Sequence, residues 1–315
     1  MLPEFAASGL LLSSDLQRIG ASERTLQRAL ERQALVRVRR GAYVDAVHWS
    51  GLDGRGRLLL RMRAVAEAAS RDVIFCGFSA AAAWNLPFLG DWPDRVEVLC
   101  EPAQGGRSEW DVIRRPRELR GLRVNEVQGL LVTGAAVTVV DLSRRLAFAP
   151  AVGVVDAAMA GRAGQAVTRT DLLAELEREP SRRGRSAARS AIEFGVGVSD
   201  SFGESFARAR LHELGYAPPE LQVPIADGRG LVGVVDFFWP GLGIVGEFDG
   251  AVKYLREEFR GGRTAAEVVW REKQREDRLR RRTTGLFRLV WADLMDPPRM
   301  DGIVRSSGLR PVARV

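Results

Sequence analysis

The chain has 315 residues, room for two or three domains with a core each, and its 46% apolar content argues against a disordered chain. No apolar run reaches the roughly 18 residues of a membrane span, so no membrane partner is expected. The formal charge of +7 suits a polyanion. All 47 basic residues except Lys253 and Lys273 are arginine, as in proteins from GC-rich genomes, so the clustering of arginines is more informative than their number.

Met1 to Leu12 has no basic segment and carries Glu4, so no signal peptide is expected. Cys76 and Cys100 have no CxxC or histidine partner spacing. We read them as small buried hydrophobes in a reducing cytoplasm.

Residues 1–48 read as a helical unit ending in a hairpin. Ser13 caps a short helix through Ile19 that Gly20 stops, and Ser22 caps a second with Leu26, Ala29 and Leu30 on its apolar face. Leu35-Val36-Arg37-Val38-Arg39 alternates as a strand, Arg40-Gly41 turns, and Ala42-Tyr43-Val44 returns. That is the order of a winged helix-turn-helix. Seven arginines against two glutamates lie between Arg18 and Arg40. Arg24, Gln27 and Arg28 on the second helix and Arg37, Arg39 and Arg40 on the wing are the candidate DNA contacts.

Residues 49–178 read as an α/β middle domain without a catalytic cluster. A helix over 57–70, a buried strand at Val73-Ile74-Phe75, a short helix from Ser79 to Trp84 and strands at 95–99 and 124–127 precede three helices. His48 and Trp84 read as packing or surface residues. Residues 179–200, rich in Pro, Ser, Gly and Arg with a possible short helix, form the expected linker.

Residues 201–300 carry the chemistry, in the order helix, strand, strand, helix, strand, with 301–315 as a tail. A helix holding Glu204 ends at Gly215, strands follow at 232–238 and 243–248, a charged helix spans 263–282, and a last strand spans 286–291. Asp236 sits among apolar strand residues, and Glu247 and Asp249 end the next strand two residues apart, pointing to one side. Burying carboxylates in such surroundings is costly without cations. A divalent ion offsets the cost, and oxygen ligands suit Mg²⁺ or Mn²⁺. Such an ion lowers the pKa of a bound water and stabilises charge on a reacting phosphate. Glu204 is a candidate fourth ligand. Arg271, Arg275, Arg278 and Arg282 recur along the charged helix as candidate phosphate contacts.

Gly203-Glu204-Ser205, Val235-Asp236-Phe237 and Glu247-Phe248-Asp249-Gly250, followed by Lys253-Tyr254, resemble the PD-(D/E)XK nuclease superfamily, in particular its branch similar to very-short-patch-repair (Vsr) endonucleases, over about residues 201–296. The resemblance implies a central mixed sheet flanked by helices, magnesium dependence and hydrolysis of DNA phosphodiesters. The N-terminal unit resembles the winged-helix domain of AbiEi-type antitoxins, which bind promoter DNA. One departure matters. The superfamily's Glu-x-Lys is here Glu247-Phe248-Asp249, so Lys253 and Lys273 become the candidate replacements for the water-activating lysine.

The expectation is therefore a multidomain α/β protein: winged helix, α/β middle domain and restriction-endonuclease-like C-terminal domain. Its expected function is Mg²⁺- or Mn²⁺-dependent DNA cleavage, with no small-molecule cofactor evident. The alternative is an antitoxin-like DNA-binding regulator with an inactive nuclease fold. The sequence leaves open the target, an RNA substrate, the middle domain's role and the oligomeric state.

Overall fold

The computed structural model describes residues 9–18, 22–104, 108–162, 164–250 and 265–312. The fold is mixed α/β, with several small sheets and thirteen α-helices among the described residues. The chain divides into two compact units, Met1–Arg145 with Gly161–Ser181, and Leu146–Ala160 with Arg182–Val315. These units cut the sequence differently from the expected domains. The hairpin unit and most of the middle domain form one unit, and a segment of the middle domain belongs to the other.

The first unit opens with β1 (Leu11–Leu12), α1 (Ser13–Arg18), α2 (Glu23–Glu31), β2 (Leu35–Arg39) and β3 (Ala42–Asp45). The strands form a sheet in the order β1-β3-β2. Ser22 caps α2 as expected, its hydroxyl accepting from the Thr25 amide. Leu11, Leu16, Ala29, Leu35 and Tyr43 pack into one core cluster. α3 (Ala46–Gly51), α4 (Gly54–Ala68) and α5 (Gly77–Ala83) follow, then β4 (Val96–Cys100), β5 (Val112–Pro116), β6 (Val124–Val127), β7 (Leu130–Thr133) and α6 (Ala135–Ser143).

The strand expected at Val73-Ile74-Phe75 is a single bridging residue. Phe75, fully buried, pairs with Val98 of β4 on one side and Val132 of β7 on the other. It thereby joins the parallel β4–β5 pair to the antiparallel β6–β7 pair. Gly77, two residues later, already begins α5, which leaves no length for a regular strand. Trp84 is buried and donates its indole N–H to the Thr133 carbonyl, and both cysteines are free and buried.

The second unit starts with α7 (Phe148–Met159); α8 (Arg169–Arg178), with a Thr168–Asp171 capping box, belongs to the first. The expected linker carries its possible short helix as α9 (Arg185–Phe194), whose buried Ala188, Ala191 and Ile192 make it part of a core. α10 (Phe202–Glu213) leads into β8 (Glu220–Asp227), β9 (Gly230–Trp239) and β10 (Ile244–Phe248), then α11 (Ala265–Arg280) and β11 (Gly285–Leu289). The sheet order is β11-β10-β9-β8, with β10 and β11 parallel and the other pairs antiparallel. β8 escaped the sequence pattern because Pro224 interrupts it, a residue tolerated there because β8 is an edge strand.

α12 (Trp291–Leu294) and α13 (Pro297–Ser306) complete the unit. Part of the expected tail is structural, since Val304 and Leu309 are buried. Phe202, Phe206 and Phe248 gather around Trp291, fixing α10 and α12 against the end of β10. Leu279 of α11 packs with Val232, Val235 and Val245. Among the described residues no helix is long and apolar enough to cross a membrane.

Candidate functional site

The candidate site lies where α10 meets the sheet. An added Cβ at Gly203 would sit 2.0 Å from the Phe248 ring, so only glycine allows the first turn of α10 to approach the end of β10 this closely. Glu204, the next residue, is 1% exposed. Its carboxylate accepts from the Asp200 amide at 2.8 Å, the Ser201 hydroxyl at 2.7 Å and the Gln222 side-chain amide at 2.8 Å. Ser201 in turn caps α10 by accepting from the Glu204 amide.

Asp236 on β9 is half-buried. One of its oxygens accepts from the Phe248 amide at 2.7 Å, and the other lies 3.4 Å from the same Gln222 nitrogen that serves Glu204. A single Nε2 thus spans the two carboxylates, and they stand no farther apart than those two short contacts laid end to end. Continuing the β9–β10 register one residue past Gly246↔Phe237 sets Glu247 opposite Asp236. Glu247 is 7% exposed, and two guanidiniums hold it, Arg275 of α11 at 2.7 Å and Arg288 of β11 at 2.8 Å. Arg288 is its direct register partner on the parallel strand. Asp249, half-buried just past β10, donates its amide to the Leu289 carbonyl.

Glu204 and Asp236 therefore come from a helix N-terminus and a strand onto one shared donor, while Glu247 lies on the adjacent strand with its carboxylate on Arg275 and Arg288. Among the described residues, no group of three or more His, Cys, Asp or Glu side chains is arranged so that it could hold a metal ion. Lys253 lies outside the described residues. Lys273 is exposed on α11.

Gln222 is the residue that sequence reasoning missed. It faces Asp236 across the β8–β9 ladder, between the pairs Leu221↔Phe237 and Val223↔Val235. Its φ of +52° is a left-handed conformation inside a strand, which a non-glycine residue rarely adopts. Such outliers concentrate at functional sites. Its signal in the sequence was weak, one amide in a strand whose alternation Pro224 interrupts.

The candidate DNA contacts fall into two sets. Arg24, Arg28, Arg37 and Arg40 are exposed, as is Gln27, which bonds to Glu31 within α2. Arg282 is exposed just past α11. The other set is committed to the protein's own carboxylates. Arg39 lies 3.3 Å from buried Asp111, Arg275 holds Glu247, and Arg278 makes two bonds to Asp227 at 2.7 and 2.8 Å. Those bonds from Arg278, with the Arg229 amide, hold the Asp227 carboxyl well below the usual carboxylate range. A guanidinium already paired with a carboxylate has less to offer a phosphate, so Arg39, Arg275 and Arg278 differ from the exposed candidates in being engaged by the protein itself. The side chain of Arg271 lies outside the described residues.

The first unit holds a second buried acid that the sequence did not single out. Glu97 of β4, 2% exposed, accepts two bonds from Arg145 at 2.7 and 2.8 Å, one from Arg115 at 2.5 Å and one from the Phe78 amide at 3.0 Å. Burial alone would raise its pKa, but the bonds from Arg145 and Arg115 outweigh burial and keep the carboxyl below its ordinary value. A Cβ at Gly77 would lie 1.8 Å from a Glu97 oxygen, so the cradle requires glycine there.

No family model matches the chain. It is similar to two curated proteins of Mycobacterium tuberculosis, uncharacterized protein MT2308 of strain CDC 1551 / Oshkosh and uncharacterized protein Rv2248 of strain ATCC 25618 / H37Rv. Each is 32% identical over 146 residues, covering 44% of this chain and 53% of the relative. The chain thus spans about half the length of the curated relatives it matches. Among solved structures, the RV2827C protein of Mycobacterium tuberculosis aligns over 69% of this chain and 83% of its own, at 17% identity and a TM-score of 0.37.

Proposed function

We propose that this chain is a DNA endonuclease dependent on Mg²⁺ or Mn²⁺, with Asp236, Glu204 and Glu247 at its centre. The observation that carries the reading is the Gln222 bridge. One amide nitrogen draws the strand-borne Asp236 and the helix-borne Glu204 together, with Glu247 on the adjacent strand one residue past the last β9–β10 pair. The donor chemistry fits a hard divalent cation, since every candidate ligand is a carboxylate oxygen. The 3.4 Å contact from Gln222 to Asp236 is also a bond that a ligand can readily replace. Asp236 and Glu204 would hold the ion, and Glu247 would join them on release from Arg275. When bound, the ion supplies Lewis acidity and a more acidic water.

The protein's own groups do the rest. The Phe248 amide orients Asp236, while Ser201 and the Asp200 amide orient Glu204. Arg275 stands beside Glu247, where it is placed to follow a phosphate's charge as that carboxylate turns to the cation. The exposed arginines of α2 and the β2–β3 hairpin supply targeting in this reading.

Purified protein with supercoiled plasmid and Mg²⁺ or Mn²⁺ should yield nicked circles, and Asp236→Ala should abolish them. Absence of nicking, or nicking that persists in the variant, overturns the proposal. A second reading is a DNA-binding regulator on an inactive nuclease fold. It is favoured by the engagement of both Glu247 oxygens with guanidiniums, which already neutralise that acid. Saturable Mn²⁺ binding in calorimetry, lost in Asp236→Ala, would exclude it.

A further inference from the structure

Two adjoining hollows in the first unit, of 390 and 270 Å³, share Leu122 and Arg123 as a common wall. Together they reach the size of small-molecule sites. The smaller is strongly cationic. Of its guanidiniums, Arg117 is tied to Glu175 at 3.0 Å and Glu179 at 3.2 Å. Arg178 is 67% exposed, and among the described residues its ion-pair contact is Glu175 at 3.7 Å. Arg120 and Arg123 are exposed and make no side-chain hydrogen bond or ion pair among the described residues. Glu175 and Glu179 are thus engaged by Arg117, with Arg144 also on Glu179, and Glu118 is a further carboxylate in the lining. The guanidiniums of Arg120, Arg123 and Arg178 still leave the concavity with an excess of positive charge.

The larger hollow has a different character. Leu122, Val137 and Val167 give it apolar walls, and Asn125 and Gln165 bring two carboxamides. Gly134 forms part of its lining, where an added Cβ would come within 3.1 Å of the Arg123 side chain and 3.4 Å of the Asn125 amide oxygen. Asp171 also lines it, bonded to Thr168 at the start of α8 and within electrostatic reach of Arg123. The guanidiniums concentrate in the smaller hollow, which therefore favours an anion more than the larger one does.

We propose that this double hollow binds a nucleoside phosphate, with the phosphate at Arg120, Arg123 and Arg178 and the base between the apolar walls. A carboxamide offers a donor beside an acceptor, the pattern that matches the edge of adenine, so adenine is the base expected. A free nucleotide and the phosphorylated end of a strand share this chemistry. The proposal does not rest on the endonuclease reading.

Calorimetry on the full chain with ADP, pyrophosphate and 5′-phosphorylated or 5′-hydroxyl oligo(dA) tests it. ADP, the phosphorylated strand or both should bind saturably, and pyrophosphate more weakly. An Arg120→Ala/Arg123→Ala double variant, with its melting temperature checked, should bind at least roughly tenfold more weakly. Asn125→Ala should weaken ADP while leaving pyrophosphate unchanged. ADP binding with an inert 5′-phosphate identifies the free nucleotide as the source, and the converse identifies a strand end. The proposal falls if neither ADP nor the phosphorylated strand binds saturably, or if the double variant binds as well as the wild type. Asp236→Ala should bind ADP unchanged, so failure to nick DNA leaves this test intact.

Discussion

Glu97 and Asp236 pose the same physical problem in the two units, and the chain solves it in different ways. Each is an acid within a strand of apolar neighbours, Val96 and Val98 around one, Val235 and Phe237 around the other. Glu97 is sealed by three bonds from Arg115 and Arg145 and one from a backbone amide, within a cradle that excludes any side chain at position 77. Asp236 is half-exposed, and one of its oxygens rests on a 3.4 Å contact to a side chain that also serves Glu204. A strand-embedded carboxylate therefore demands a cation, but the cation can be an arginine of the chain itself. What marks a candidate site is the convergence of a second acid on the same donor.

The sharpest way to break this contrast is to remove each acid in turn. Asp236→Ala should leave melting nearly unchanged and reduce plasmid nicking by on the order of 10³-fold, since a catalytic cation supplies several kcal/mol. A large loss of stability with no specific loss of nicking would place Asp236 in the same class as Glu97.

Glu97→Gln should do the reverse. Leaving Arg145 and Arg115 without their carboxylate should destabilise the first unit by about 3–5 kcal/mol, read by denaturant unfolding. The pH dependence has a definite sign. The folded pKa of Glu97 lies below its ordinary value, so its contribution is fully present above the unfolded value of about 4.3. It is lost as pH falls from there through the folded value. The stability gap between wild type and Glu97→Gln should therefore narrow in acid. A gap that stays constant from neutral pH down to acid would contradict the ion-pair account.

Gln222→Ala probes the bridge. As a positioning residue it should cost roughly 10–100-fold in nicking, a size typical of groups that orient metal ligands. Gln222→Asn, too short to span both acids, should not rescue it. A higher concentration of Mn²⁺ needed for half-maximal nicking would separate this role from a general loss of fold.

Much of this architecture was legible in the sequence where period and caps agreed. Ser22 before α2 and the alternation around the Arg40-Gly41 turn forecast a helix and a hairpin that the structure contains. The two strands bearing Asp236 and Glu247 and the charged helix after them were equally readable. What stayed hidden depended on tertiary contacts. β8 became a strand by pairing with β9 despite Pro224, and the possible short helix of residues 179–200 proved a core element because Ala188, Ala191 and Ile192 are buried. The exchange of α7 between units left no local trace. At the candidate site the acids were visible as isolated charges in apolar strands, but Gln222 was not, because its role comes from register and an unusual φ. Partner choice was likewise invisible, so Arg275 and Arg278 read as free cations until Glu247 and Asp227 appeared beside them.

The smallest expected effect concerns the same distinction on the N-terminal hairpin. Arg24 and Arg28 are exposed on α2, whereas Arg39 is 17% exposed and faces Asp111, itself buried. If α2 lies along DNA, an Arg24→Ala/Arg28→Ala variant should keep its melting temperature and lose part of the salt dependence of binding. The slope of log affinity against log salt should shrink by about 0.9 for each phosphate contact removed. Arg39→Ala should instead lower the melting temperature, because it leaves Asp111 buried beside no cation, and should change the slope little. Fluorescence anisotropy with a labelled duplex at four salt concentrations reads both. Unchanged slopes in the α2 variant would remove that helix from the DNA surface, and a slope change in Arg39→Ala without destabilisation would return Arg39 to it.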